Sequence, residues 1–217
     1  MKKLILLCLP IFLGCSGPKD ATKENFTIAL KNYLSEQQGC FEVFGHFPQS
    51  FSESEPGYRQ RVLQFDSLVS AGLLDVKESS YQTKSLTKKC LGKRSAAECV
   101  RVEEKQKREY TLTKEGLRFA EKLPVKKFFG ETQFCYSGYK LTNVVNFSEP
   151  AEVFGKKITE VVYEYKASDI EEWGYNKDLI NDIKQLRDDI GSLDKPLKGK
   201  AVLILSGNGW VHESQFN

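Results

Sequence analysis

Ile158-Thr159-Glu160-Val161-Val162-Tyr163-Glu164-Tyr165-Lys166 is the clearest strand in the chain. Thr159, Val161, Tyr163 and Tyr165 fall on one face. Ile158, Glu160, Val162 and Glu164 fall on the other, which is the period of a half-buried strand. Downstream, Asn176 to Ile190 switches to helical spacing. Leu179, Ile180, Ile183, Leu186 and Ile190 make its apolar stripe, and Gly191 ends it. Ala201 to Leu205 and Trp210 to Glu213 read as strands joined by Ser206-Gly207-Asn208-Gly209, a strong hairpin signal. Upstream, Thr132 to Tyr136 is a short strand, and Tyr139 to Phe147 is extended or weakly helical. Residues 124–217 are therefore expected to form a small antiparallel sheet with one packed helix. Leu123-Pro124 marks the expected boundary with what precedes it.

Residues 24–123 have a different character. Thr22 to Gln38 carries Phe26, Ala29, Leu30, Tyr33 and Leu34 at helical spacing, with Gly39 as a stop. Ser50 to Gly57 is a Ser/Glu/Pro loop. Tyr58 to Ala71 is a second helix, with Tyr58, Val62, Phe65, Leu68 and Val69 on one stripe and Gly72 at its C-terminal turn. Two long polar strands follow, Tyr81 to Cys90 and Cys99 to Leu112. A short helix, Lys114 to Lys122, is capped by Thr113. Leu68-Val69-Ser70-Ala71-Gly72-Leu73-Leu74, the hairpin, and Tyr110-Thr111-Leu112-Thr113-Lys114-Glu115-Gly116 resemble the helix–wing–strand segment of winged-helix proteins. The match covers about Tyr58 to Phe119. The expected fold class is thus α+β, a winged-helix-like subdomain followed by the small sheet and its helix.

The first fifteen residues decide the compartment. Lys2 and Lys3 form a positive n-region, and Leu4 to Leu13 an apolar run interrupted by Pro10. That run falls short of the ~20 apolar residues a bilayer requires, and its flanks are those of a signal peptide. It ends in Phe12-Leu13-Gly14-Cys15, which resembles the lipobox of bacterial lipoproteins, with Phe12 where the family prefers an aliphatic residue. The resemblance implies cleavage before Cys15, lipid on its sulfur and on the new N-terminus, and anchoring in a membrane. Ser16 stands where an Asp retains family members in the inner membrane. In a cell that has an outer membrane, the implied place is therefore that membrane, and the expected face is the periplasm. Residues 1–14 are the expected signal peptide and residues 15–23 a lipidated tether.

Processing leaves 217 − 14 = 203 residues and removes two of the 32 basic residues, which sets 30 against 29 acidic ones. A chain so nearly neutral gives no global electrostatic argument for nucleic acid. The hairpin carries Lys88, Lys89, Lys93, Arg94, Arg101, Lys105, Lys107 and Arg108. Glu98, Glu103, Glu104 and Glu109 lie among them, as on a solvated face. Of six cysteines, Cys8 leaves with the signal and Cys15 carries lipid. Cys40, Cys90, Cys99 and Cys135 read as two disulfides in an oxidising compartment. Three pairings are open, and spacing favours Cys90–Cys99 across the hairpin with Cys40–Cys135 for the rest.

GxSxG is absent, and the only histidines are His46 and His212. His212 beside Glu213 is too little for a triad. Gly191 to Lys200 lacks the phosphate-loop register. No Cys pair has zinc spacing, so neither metal nor cofactor is expected. Trp173, Tyr175 and Trp210 are the aromatics that could make contacts, and Trp173, among Glu171, Glu172 and Asn176, is the partner-binding candidate. The expected function is a membrane-anchored, non-enzymatic protein-binding module of the envelope, of the assembly-factor or toxin-immunity kind. The alternative is a lipid-anchored hydrolase acting on cell wall or lipid.

Overall fold

The computed structural model describes residues 17–86, 100–126 and 129–216. The signal segment, Cys15, Ser16 and the expected Cys90–Cys99 bridge lie outside the described residues. Strand predominates. A seven-stranded antiparallel sheet contains β1 (Gln38–Phe44), β5 (Ala120–Lys126), β6 (Phe129–Phe147), β7 (Ala151–Val153), β8 (Lys156–Ser168), β9 (Leu197–Ser206) and β10 (Gly209–His212). Its order is β1-β6-β8-β9-β10, with β5 on β6 and β7 on β8. A second sheet has the order β2-β4-β3, from β2 (Gln49–Ser52), β3 (Leu74–Leu86) and β4 (Val100–Leu112).

This corrects the α+β, winged-helix-first expectation. The first half is not a helical start. It contributes β1 and β5 to the large sheet and builds the smaller one. The two helices expected to open a winged helix belong to different compact units. One unit holds residues 17–34, 141–164 and 198–216, and the other residues 35–140 and 165–197. Leu123 and Pro124, the expected boundary, lie inside β5.

In the first unit, α1 (Lys23–Ser35) buries Phe26, Ala29, Leu30 and Leu34. The Phe26 ring meets Phe147 edge-on at 4.8 Å and Trp210 at 5.1 Å. Fully burying such a side chain contributes about 1.5–3 kcal/mol. Local propensity alone would leave a helix this short marginal. Val144, Val161, Ala201 and Leu203 supply the sheet side of this core.

In the second unit, α2 (Tyr58–Ser70) ends as expected. Gly72, at φ +76°, lets Leu73 N–H reach the Leu68 carbonyl at 3.0 Å. Phe41, Phe51, Phe65, Leu68, Tyr110, Phe134, Tyr136 and Trp173 form the core. Cys40 and Cys135 face each other across β1 and β6, Cα–Cα 4.0 Å, and are joined as a disulfide. The expected single helix from Asn176 to Ile190 is two, α4 (Lys177–Asp182) and α5 (Lys184–Gly191), broken at Ile183 (φ −107°, ψ 104°). Between β4 and β5, α3 (Lys114–Phe119) is capped as expected, the Thr113 hydroxyl accepting from Gly116 N–H at 2.9 Å.

Candidate functional site

Three places in the described residues concentrate polar chemistry, and each lies within one unit. The first is Asp189, delivered by α5 to the tyrosines of β6. Tyr136 Oη donates to Asp189 Oδ2 at 2.5 Å and Tyr139 Oη to the same oxygen at 2.8 Å. The carboxylate is 3% exposed. Burial pushes its pKa up, opposed by the two hydroxyl donors. Burial and the neighbouring acid push both tyrosines up. Ser192 at the end of α5 accepts from Ala167 N–H on β8 at 2.9 Å and donates to the Asp189 carbonyl. Both tyrosine protons are thus committed to the acid, and the cluster fastens α5 to two strands. Beside it, a cavity of 380 Å³ is bordered by Gln38, Cys135, Tyr136, Ser137 and Arg118. Ser137 Oγ is buried without a hydrogen-bond partner.

The second place is a cleft of 680 Å³ formed by the end of α2, α3 and a single 3-10 turn, Glu172–Tyr175. Ser70, Glu115, Glu171, Glu172, Tyr175 and Asn176 line it, with Trp173. Three carboxylates make it acidic, although Glu115 is paired with Arg118 at 2.9 Å. Trp173 is not the exposed contact the sequence led us to expect. It is 7% exposed, and its ring packs on Phe119 at 5.6 Å, Phe41 at 6.1 Å and Tyr136 at 6.2 Å. Its indole N–H is buried without an acceptor. Tyr175, two residues on, is 50% exposed and is the aromatic the cleft presents. Polar neighbours flank both residues in sequence, and only the turn distinguishes them.

The third place is the N-terminal end of the first unit. Residues 17–20 are bound to the fold rather than free as a tether. Gly17 N–H donates to Asp20 Oδ2 at 2.7 Å. Asn25 Nδ2 donates to the Gly17 carbonyl at 2.8 Å and the Asp20 carbonyl at 2.9 Å. Trp210 Nε1 donates to the Asp20 carbonyl at 3.1 Å. The Pro18 carbonyl lies so close to Gly209 that a Cβ there would meet it at 3.0 Å. Nearby in sequence, His212 is 7% exposed and stacks on Tyr33 at 3.6 Å. Its Nδ1 accepts from Ser214 N–H at 3.1 Å, and burial holds its pKa below the ordinary histidine range.

On the described part of the hairpin, charged side chains pair with one another and with Asp66 of α2, while Arg101, Glu104 and Lys107 stay exposed. Arg108 pairs with Asp66 at 2.7 Å and Glu78 at 2.6 Å. Tyr110 donates to Asp66 at 3.0 Å, and burial pushes its pKa up to about 12. Arg101 and Lys105 both pair with Glu103. Among the described residues no group of His, Cys, Asp and Glu is placed to hold a metal ion. No described helix is long and apolar enough to cross a membrane. No family model, curated protein or solved structure matches the chain.

Proposed function

We propose that the chain is a lipoprotein of the bacterial envelope, anchored at the outer membrane through Cys15, that captures a protein partner without turning it over. The observation that carries the binding reading is the acidic cleft with Tyr175 half-exposed on its rim. A half-exposed aromatic over a large open concavity, ringed by carboxylates, fits a basic loop or peptide of a partner. The Leu13-Gly14-Cys15 stretch supports the anchor. The Cys40–Cys135 disulfide accords with an oxidising compartment. A pull-down from envelope extracts with the intact lipidated chain tests the reading. The expected result is one stoichiometric partner, captured less by Tyr175→Ala. Capture that Tyr175→Ala and Glu172→Gln leave unchanged would remove the cleft from the account. Cys15→Ser is expected to release the chain into the soluble fraction. A mutant that still fractionates as an acylated membrane protein would overturn the anchor.

The hydrolase reading rests on Asp189, a buried acid with a raised pKa whose hydrogen-bond partner Tyr136 borders a cavity. Turnover of wall or lipid substrates by the wild type, abolished in Asp189→Asn at unchanged stability, would favour it.

A further inference from the structure

In the first unit, one end of the sheet gathers an exposed aromatic, lysines and the start of the described chain. β7 and β8 are joined by a two-residue turn, Phe154-Gly155, with Val153 paired to Lys156. Both turn residues have positive φ, +50° at Phe154 and +73° at Gly155. The left-handed region suits Asn, Asp or Gly and is unfavourable for a bulky side chain. Phe154 is nevertheless there, and it is 100% exposed. The hairpin accounts for the backbone, because a two-residue turn of this kind needs positive φ at both positions, but it does not account for a Phe there: among the described residues no side chain shields the ring.

The neighbours of this turn follow from the strand register. Lys200 Nζ meets Glu160 Oε1 at 3.3 Å, and the Tyr163 ring lies against Gly199. These contacts align β8 and β9 antiparallel, so β8 begins where β9 ends. The Phe154-Gly155 turn and the β9–β10 turn, closed by Ser206 paired with Gly209, therefore share one end of the sheet. Pro18 packs on Gly209 at that end. Lys19, Lys156 and Lys157 are exposed there, alongside Asp20 and Glu152. The Asp20 carboxylate is already engaged by Gly17 N–H.

We infer that this end of the first unit lies on the lipid surface, with Phe154 inserted at the interface between headgroups and acyl chains. The inference rests on the anchored reading of Cys15. From Cys15 to Gly17 the chain reaches at most ~7 Å, because each residue spans no more than ~3.6 Å. Gly17 is itself hydrogen-bonded to the fold. Acyl chains on Cys15 thus leave no slack that would let the body stand away from the bilayer. The end of the sheet nearest the anchor must face lipid. An aromatic that is wholly exposed in water becomes buried there, and flanking lysines meet anionic headgroups.

The test uses the mature, acylated full chain on phosphatidylethanolamine–phosphatidylglycerol vesicles, with Phe154→Trp as the reporter against the parent chain. Trp173 and Trp210 are buried and give a constant background. Because Phe154 is fully exposed, the substitution is expected to leave the melting curve unchanged. The inference expects a blue-shifted emission from position 154 on adding vesicles, quenching by brominated lipids, and loss of quenching by iodide. Emission that stays unshifted, unquenched by bromolipid and open to iodide overturns it, and the anchored reading survives. Mass spectrometry of the N-terminal peptide separates the two failures. An unmodified Cys15 overturns both the anchor and this inference.

Discussion

Trp173 and Tyr175 stand two residues apart in one short turn and have opposite environments. The indole is enclosed by Phe41, Phe119 and Tyr136, while the phenol faces solvent. Truncating a buried Trp removes its transfer free energy and leaves a cavity, typically costing about 3–5 kcal/mol. Trp173→Ala is therefore expected to lower the denaturation midpoint of the second unit steeply. Tyr175→Ala removes exposed surface and is expected to change stability by less than ~0.5 kcal/mol. If Tyr175 is a contact hot spot, its loss weakens capture by ~2 kcal/mol or more. Urea melts paired with capture assays of the two variants separate these outcomes. A stable Trp173→Ala would contradict the packing described above. Sequence could not separate the pair, because Glu171, Glu172 and Asn176 make both look exposed.

At the scale of elements, α3 is held by one close approach. Thr113 N–H donates to the Leu73 carbonyl at 3.1 Å, and the Thr113 hydroxyl donates to the Gly72 carbonyl at 2.8 Å. Gly116 passes that same Leu73 carbonyl, where an added Cβ would sit 2.0 Å from the oxygen. Because that oxygen is backbone, neither side can yield cheaply. Gly116→Ala is expected to cost at least the upper end of the ~1–3 kcal/mol seen for overpacking. A melting temperature within error of wild type would show that α3 can shift without cost.

Features fixed by local chemistry were legible in the sequence: the Gly72 stop of α2, the Thr113 cap, the β8 alternation, and the Ser206–Gly209 hairpin. Features fixed by distant pairing were not. Nothing local tells Phe26 that its partners are Phe147 and Trp210. Nothing local shows that Thr132 to Tyr136 and Tyr139 to Phe147 continue as one strand, β6. The break at Ile183 is invisible because its side chain fits the helical stripe while only its backbone departs. In the sequence Cys40–Cys135 is only the pair left over when spacing favours Cys90–Cys99, and the cross-strand register of β1 and β6 is its structural reason. The site was less legible still. The sequence pointed to Trp173, but the exposed groups at the cleft and at the Phe154 turn emerge only from the fold.

At the scale of the whole molecule, each unit carries one tryptophan, Trp210 in the first and Trp173 in the second. Single Trp→Phe variants would let each unit be followed separately. The Cys40–Cys135 bridge spans 95 residues of sequence within the second unit. In the chain-entropy model a loop of that length contributes about 4–5 kcal/mol. Reduction is expected to lower the transition reported by Trp173, with the smaller effect on Trp210. Equal shifts at both reporters would argue that the units unfold as one.

Acid should act on the two units with opposite signs. In the first, burial depresses His212 below its ordinary value of 6.5. Its Nδ1 must stay unprotonated to accept from Ser214 N–H, and Glu213 only partly opposes the shift. The unfolded chain therefore takes up the proton first. The contribution of neutral His212 is present above pH 6.5 and is lost as pH falls through its lower folded pKa. In the second, burial raises Asp189 above its ordinary 3.8. The folded form binds its proton first, so this contribution is full below pH 3.8 and is lost as pH rises through the folded pKa. Lowering pH from neutrality should then weaken the unit reported by Trp210 and ease the cost of the buried acid in the unit reported by Trp173. His212→Gln should flatten the first response, and Asp189→Asn the second, each leaving the other intact. Denaturant melts of the single-tryptophan chains across that range decide it. If Trp210 reports no loss of stability below pH 6.5, or His212→Gln leaves that loss unchanged, His212 is not its source.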